Sequence, residues 1–497
     1  MKNKTAQRIC LLLTALMILT SFVACGNQEG NASGDESARQ TAAGNQDETD
    51  PVQNALDAVR ATVDWGGRDF GILYINDISG YTEEVEAQAA AGDNTSSGVI
   101  NDAVYERNAL FEEYGKLHFV LIPVSNASIA NKLLSEVQAT TGDFQLVTQT
   151  TSGTANAATS NYLYNYLDLD IDYDQEWWDE GTLDFALYGR VFFMNGSFNI
   201  VDDDVTFVMM FNKKLQSEYR VENPYETVKN NEWTLDKFNS IISGLSNDNG
   251  DGVWDEHDTY GFSTPSSIGN TFFYGAGLQY VRNSRSMEAP ELALTASDMD
   301  IALNVLNLAR QIVHENNSSY IAAPGSESKS CGIFVEGRSL YYVEAASYLR
   351  SLNKNMDSEY GVIPIPKYSV SQEHYTTWSH SIGSTLSIPA SVASKDADMD
   401  AFSDVLELYA VLSQKLVRPA YYEIMLTTRN VRDAESSEML DIIFQHRIYD
   451  MAMYFDTLGF SGIFSDSVTG ANQFTSKYTS ISKNFDKRMN NILKGFR

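Results

Sequence analysis

From about Trp65 the chain alternates short apolar runs with stretches in which apolar residues recur every three or four positions. The runs at 70–75, 117–122, 144–148, 206–211, 340–343, 361–365 and 384–388 have the length and content of buried strands. Between the first two, Ile100, Val104, Phe111 and Tyr114 share one narrow arc of a helix. Thr234 stands where it caps a helix in which Leu235, Phe238, Ile241, Ile242 and Leu245 form one apolar stripe. The same spacing recurs at Phe402, Val405, Leu406 and Tyr409, and at Met439, Ile442, Ile443 and His446. On that last face His446 is expected to be a satisfied core histidine. Strand–helix alternation predicts right-handed βαβ units and mostly parallel sheets covered on both faces. A folded stretch of this length exceeds one such core, so the pattern predicts two α/β lobes.

The N-terminus follows a different pattern. Lys2, Lys4 and Arg8 precede an apolar stretch from Ile9 to Leu19, too short to span a bilayer. It ends in Phe22-Val23-Ala24-Cys25-Gly26, which resembles the bacterial lipobox, where the cysteine is lipidated and becomes the mature N-terminus. Residues 26–50 lack aromatics, Leu, Ile and Met, and are rich in Gly, Asn, Gln, Ser, Ala and acids, so they cannot bury enough surface to fold. The expectation is a signal peptide over 1–24, a lipid anchor at Cys25, and a disordered tether to residue 64. A flexible tether of this kind reaches roughly 25–30 Å from the membrane. The protein is then expected on the extracellular face of the cell membrane, held by lipid alone.

Charge narrows the function. The 497 residues carry 66 Asp plus Glu against 35 Lys plus Arg, a net charge of −31. Such a chain repels phosphate backbones, and it has no basic run to offset that, so no nucleic-acid partner is expected. A 43% hydrophobic content with 20% charged residues fits a soluble globular protein. Of three cysteines, Cys10 and Cys25 belong to the leader and anchor, leaving Cys331 alone and no intramolecular disulfide.

The catalytic inventory is thin. The chain has no G-x-S-x-G elbow, H-E-x-x-H, Walker loop or strand-linked G-x-G-x-x-G. Asp168, Asp170, Asp172 and Asp174 alternate with Leu169, Ile171 and Tyr173. That alternation reads as the polar face of an extended segment, with paired carboxylates for glycoside hydrolysis as the alternative. One segment has a sharper chemistry. From 247 to 258, oxygen side chains recur as in an EF-hand calcium loop: Asn247, Asn249, Asp251, Asp255 and Asp258, with Val253 offering its carbonyl and Gly252 at the sharp turn. A ring of oxygens of this kind can replace the hydration shell of a hard cation. A structural Ca2+ that staples the loop is the expectation, and a plain Asn/Gly turn the alternative.

Several segments together resemble the family 1 extracellular solute-binding proteins, the lipoprotein receptors of ABC importers, mostly carbohydrate-specific and maltose-binding-protein-like. They are Phe211-Asn212-Lys213-Lys214-Leu215, Asn231-Glu232-Trp233-Thr234-Leu235-Asp236-Lys237-Phe238, Asn249-Gly250-Asp251-Gly252 and Asp258-Thr259-Tyr260-Gly261-Phe262. Further along come Phe334-Val335-Glu336-Gly337-Arg338, Tyr360-Gly361-Val362-Ile363-Pro364-Ile365-Pro366-Lys367-Tyr368, Ala420-Tyr421-Tyr422-Glu423, Arg432-Asp433 and Met439-Leu440-Asp441-Ile442-Ile443. Their order covers nearly the whole mature domain. The resemblance implies a two-lobed, type II periplasmic-binding-protein-like α/β fold with a hinge and an interlobe cleft. It puts 65–204 with 378–414 in the first lobe, 205–377 with 415–497 in the second, and crossings near 204–212, 374–382 and 412–420. It also implies a monomeric, non-enzymatic receptor that hands a sugar to an ABC permease. A secreted glycan hydrolase, motivated by residues 168–180, and a calcium-dependent adhesin are the alternatives.

Sugar rings stack on flat side chains while their hydroxyls need planar polar partners. Candidate stacking residues at loops or crossings are Trp177, Trp178, Tyr274, Tyr375, Trp378, Tyr421 and Tyr422. Candidate polar contacts beyond the carboxyl ends of strands are Asn76, Asp77, Gln149, Thr150 and Glu344. Where maltose-binding relatives place a cleft tryptophan, this chain has Ala345-Ala346-Ser347-Tyr348.

Overall fold

The computed structural model describes residues 50–87, 96–283, 287, 289–315, 317–394, 398–428, 431–432 and 434–494. The leader, Cys25 and residues 26–49 lie outside them. Nine strands build the two larger sheets: β1 (Asp69–Ile75), β2 (His118–Val124), β3 (Leu146–Thr150), β4 (Phe207–Asn212), β5 (Tyr260–Pro265), β6 (Ser319–Ala322), β7 (Ser339–Ala345), β8 (Tyr360–Ile363) and β9 (Ser384–Ser387). The first sheet has the order β9-β3-β1-β2, the second β8-β4-β7-β5-β6. Every residue of β4, β5 and β8 is buried, as are six of the seven in β1. Burial on both faces is why these strands read as apolar runs without alternation.

The expectation of mostly parallel sheets needs correction. β1 runs parallel to β2 and β3, and β5 parallel to β6 and β7. β9, however, is antiparallel to β3, β4 to β7, and β8 to β4. β4 and β9 are the first strands after the chain passes from one sheet to the other, and a strand entering from that side runs against its neighbours.

The chain changes sheet between β3 and β4 and returns between β8 and β9, and these two passages lie side by side. Thr206 bridges Ser379, the Thr377 hydroxyl donates to the Phe207 carbonyl at 2.7 Å, and the His380 N–H donates to Val205. A third passage is helical. The helix Met399–Leu412 buries Phe402, Val405, Leu406 and Tyr409 with β1 residues of the first sheet. It runs through one π-helical turn, Ser413–Val417, into the helix Arg418–Leu426, where Tyr421, Ile424 and Met425 pack with Met210, Tyr342 and Val362 of the second sheet.

Both sheets belong to one compact unit, Asp50–Arg497. Leu73 and Ile75 of β1 share an apolar cluster with Phe207 and Met209 of β4, and Ile100 and Val104 share another with Val208 and Met210. An ion pair adds to this packing: Arg350, in the helix Tyr348–Asn355 after β7, lies 2.7 Å from Glu83, in the helix Tyr81–Val85 after β1.

Two other expectations change. The tether does not run to 64: Pro51–Thr62 is a helix, capped by the Asp50 carboxylate accepting the Val52 N–H, with Leu56 and Val59 buried. Proline at the first helical position and three well-spaced apolar residues carried that signal. His446 follows the end of the helix Ala434–Gln445 instead of lying on its core face, and stacks half-buried on His374 with ring centroids 4.2 Å apart.

Candidate functional site

The segment between β3 and the first passage has little regular structure, yet it is pinned. The indole N–H groups of Trp177 and Trp178 donate to the two oxygens of Glu407, on the helix Met399–Leu412, at 2.9 and 3.1 Å. Burial pushes the Glu407 carboxyl up to about 7, against the lowering effect of the two indoles. Trp178 also bridges Gly196, where a Cβ would sit 2.3 Å from the Trp177 carbonyl, so only glycine permits this approach. Trp178 meets Tyr173 and Phe198 edge-on at 5.6 and 5.7 Å.

That scaffold presents Asp179 to Arg447. Arg447 lies in a two-residue strand paired in parallel with Thr377–Trp378, which fixes it against the return passage. Its guanidinium bonds Asp179 and lies 2.6 Å from Asp203 and 3.1 Å from Asp202. The Tyr449 hydroxyl sits 2.8 Å from Asp179 and 2.6 Å from Asp202. Arg418, one residue past the π turn, holds the other oxygen of Asp203, with its guanidinium 5.1 Å above the Phe444 ring and 4.9 Å above Tyr422. Burial alone would lower the Arg447 pKa, but Asp179 and its neighbours hold it well above the ordinary arginine range. Burial raises Asp202 against the opposing pull of Arg447.

Above this network lies a cavity of about 490 Å3. Tyr173, Trp178 and Ser197 line it from the first-sheet side, Gln414 and Arg418 from the helical passage, and Phe444 from the helix beside the second sheet. The Ser197 hydroxyl donates to the Gln414 side-chain oxygen, and the Tyr422 hydroxyl donates to Asp441 at 2.9 Å. Size, flat rings and planar polar groups suit one to a few sugar rings. A second cavity of about 380 Å3 lies among Asn156, Thr159, Phe455, Thr457 and Arg488.

The candidates read from the sequence separate into groups. Trp178 lines the larger cavity, as does Tyr422. Tyr421 lies beneath it, 1% exposed, donating to Asp204 at 3.0 Å. Trp378 is stacked between Phe207 and Tyr274 in the core, with Tyr274 0% and Trp378 2% exposed, so neither ring meets solvent. Tyr375 is buried, donating to the Val228 carbonyl. Asn76 and Asp77 are exposed beyond β1, where Asp77 accepts the Asn126 N–H at 2.7 Å. Gln149 is buried; Thr150 caps the helix Thr151–Thr159 by accepting from Gly153. Glu344 is the penultimate residue of β7, and burial pushes its carboxyl up to about 7. Sequence reasoning missed Arg447, Arg418, Asp179 and Phe444. The available signal was Asp202-Asp203-Asp204 between Ile200-Val201 and Val205: three acids in an apolar frame require buried cations.

In the 247–258 loop, Asp258 is buried and accepts the N–H groups of Asn249 at 2.8 Å and Asp255 at 2.7 Å. Asn249 and Asp251 accept from the residues two positions on, and Asn247 bridges Thr259. Val253 is exposed. Among the described residues no three His, Cys, Asp or Glu side chains group as a metal site, and no helix is long and apolar enough to cross a membrane.

No protein-family model and no curated protein sequence matches the chain. Solved structures do match. The chain is similar to M. tuberculosis UspC at 14% identity, over 84% of this chain and 100% of that one, with a TM-score of 0.55. It is similar to a cyclo/maltodextrin-binding protein complexed with maltotetraose at 14% identity, over 86% and 97%, with a TM-score of 0.54. A third is the GacH receptor of Streptomyces glaucescens, solved unliganded and with acarbose, at 12% identity, over 85% and 99%, with a TM-score of 0.50. The likeness shows that the chain shares the mixed α/β fold of these solved structures.

Proposed function

We propose that this chain is the extracellular solute receptor of an ABC importer, that it binds a carbohydrate and passes it to a membrane permease, and that it changes no covalent bond. The observation that carries this reading is the 490 Å3 cavity, walled by both sheet bodies and by the helical passage between them. Its inner carboxylates are tied to Arg447 and Arg418, which suits a rigid frame for hydroxyls better than a proton-transferring pair. Two of the similar structures hold saccharides or an analogue, in keeping with this reading.

The same proposal includes a first lobe over 65–204 and 378–414, a second over 205–377 and 415–497, and hinge motion at the three passages. Anchoring through Cys25, a monomeric state and a calcium ion in the 247–258 loop complete it. Calorimetry with a panel of oligosaccharides, paired with small-angle scattering, tests the core claim. Saturable binding with a smaller radius of gyration is expected. Turnover of a bound glycan, or binding that leaves Trp178→Ala unaffected, would overturn it.

A further inference from the structure

One wall of the larger cavity is mostly a single stretch of chain, 173–180, which supplies Tyr173, Trp178 and Asp179 among others. The stretch contains no long helix or strand to hold it, so its position is set by what it touches. Two backbone bonds tie it to the neighbouring loop: the Asp179 N–H donates to the Asn195 carbonyl at 2.8 Å, and the Ser197 N–H to the Trp177 carbonyl at 3.0 Å. From the helix Met399–Leu412 the tie is Glu407, whose two oxygens each accept one indole N–H, from Trp177 and Trp178. Both indoles are buried, so an N–H that loses its acceptor there is costly. Asp179, the next residue along, carries the wall on to Arg447.

The clamp fits one protonation state. Two donors need two acceptors, and only the ionised carboxylate offers full acceptor capacity at both oxygens. Protonation turns one oxygen into a hydroxyl with a proton of its own to place, and a glutamine would set an amide NH2 against an indole N–H. The titratable groups facing Glu407 are Tyr173 and Asp172 from the stretch itself and Asp404 one turn back on its own helix. Resting on the reading of this cavity as the carbohydrate site, we propose that Glu407 is its positioning residue: ionised, it sets both indoles and with them the wall that meets the ligand, and a proton taken up by Glu407 loosens that wall and weakens saccharide binding. Burial, opposed by the two indoles, brings the carboxyl to about 7, so the weakening falls as pH drops through neutrality. One proton in competition with a ligand weakens binding by at most about tenfold per pH unit.

The test uses the full chain with 15N-labelled tryptophan and maltotriose, a probe with no titratable group of its own near neutrality. The indole N–H signals of Trp177 and Trp178 are expected to titrate together with a midpoint near 7, and maltotriose affinity to fall by up to about tenfold from about pH 8 to about pH 6. Glu407→Gln should flatten both profiles, with the melting temperature reporting an intact fold. Trp177→Phe keeps a ring but removes one of the two bonds that lower the Glu407 pKa, so it should move the midpoint upward, a shift that a merely structural role would not produce. Indole signals that do not titrate, an unmoved midpoint in Trp177→Phe, or a pH dependence that survives Glu407→Gln overturns the inference and leaves the carbohydrate reading standing. If maltotriose and the other oligosaccharides fail to bind at any pH, the reading of the cavity falls and the inference with it.

Discussion

Replacing Arg447 by methionine tests the ionic frame of the site. The guanidinium touches three carboxylates whose side chains are 10, 5 and 1% exposed, and is itself 6% exposed. Removing one partner of such a buried set costs about 3–5 kcal/mol, because the charges left behind have neither water nor a counter-ion. Arg418 still holds Asp203, and the Tyr449 hydroxyl still reaches Asp179 and Asp202, so the loss falls at the low end, about 3 kcal/mol. The pH dependence has a definite sign. Burial already raises Asp202, and loss of Arg447 removes the charge that opposes that rise. A carboxyl whose folded pKa exceeds its unfolded value regains stability as pH falls through the folded value, since the folded state takes up the proton first. Urea unfolding at about pH 7.5 and pH 5 should therefore show a deficit that narrows on acidification, with an unchanged slope in urea. A deficit below about 1 kcal/mol at the higher pH, or one that widens at the lower, would refute the account.

Burial pushes the Glu84 carboxyl from 4.5 up to about 8, although it accepts from Val201 and Ser384, so native stability should fall as pH rises across that window. Glu84→Gln should flatten this dependence; identical pH slopes in urea would argue against it. Glu83→Gln breaks the ion pair to Arg350 and should change stability by less than about 1 kcal/mol, yet enlarge the ligand-free radius of gyration in scattering. Unchanged dimensions would mean that this ion pair does not restrain the two bodies. Millimolar calcium should raise the melting temperature, and Asp251→Asn should abolish the rise; a flat calcium titration removes the ion from the 247–258 loop.

Much of the architecture was legible because buried strands are written as apolar runs. The run at 206–211 anticipates β4 within a residue, and Thr234 caps its helix as its position suggests, accepting from Lys237. β5 was harder to see: Tyr260–Pro265 contains Ser263 and Thr264, whose hydroxyls are buried but satisfied by backbone carbonyls, so polarity conceals a core strand. The site was less legible still. Trp178 and Tyr422 stood out as aromatic, but Tyr274 and Trp378 stood out equally and turn inward, where they stack on each other and Trp378 stacks on Phe207. Composition does not distinguish a ring that meets a ligand from one that meets another ring. The ionic frame depends on Asp179, Asp203 and Arg447 meeting across 268 and 244 residues of chain, which no local pattern encodes.

On the proposed reading, the π-helical turn at Ser413–Val417 would couple occupancy to flexure. Gln414 lies within that turn and Arg418 directly after it, and both face the cavity. On that reading, a swing of one sheet body against the other would deform this splice, and a guest in the cavity would brace it. Affinity and angular freedom would then share one short piece of backbone, and a substitution that softens the splice should loosen the guest even where it touches nothing.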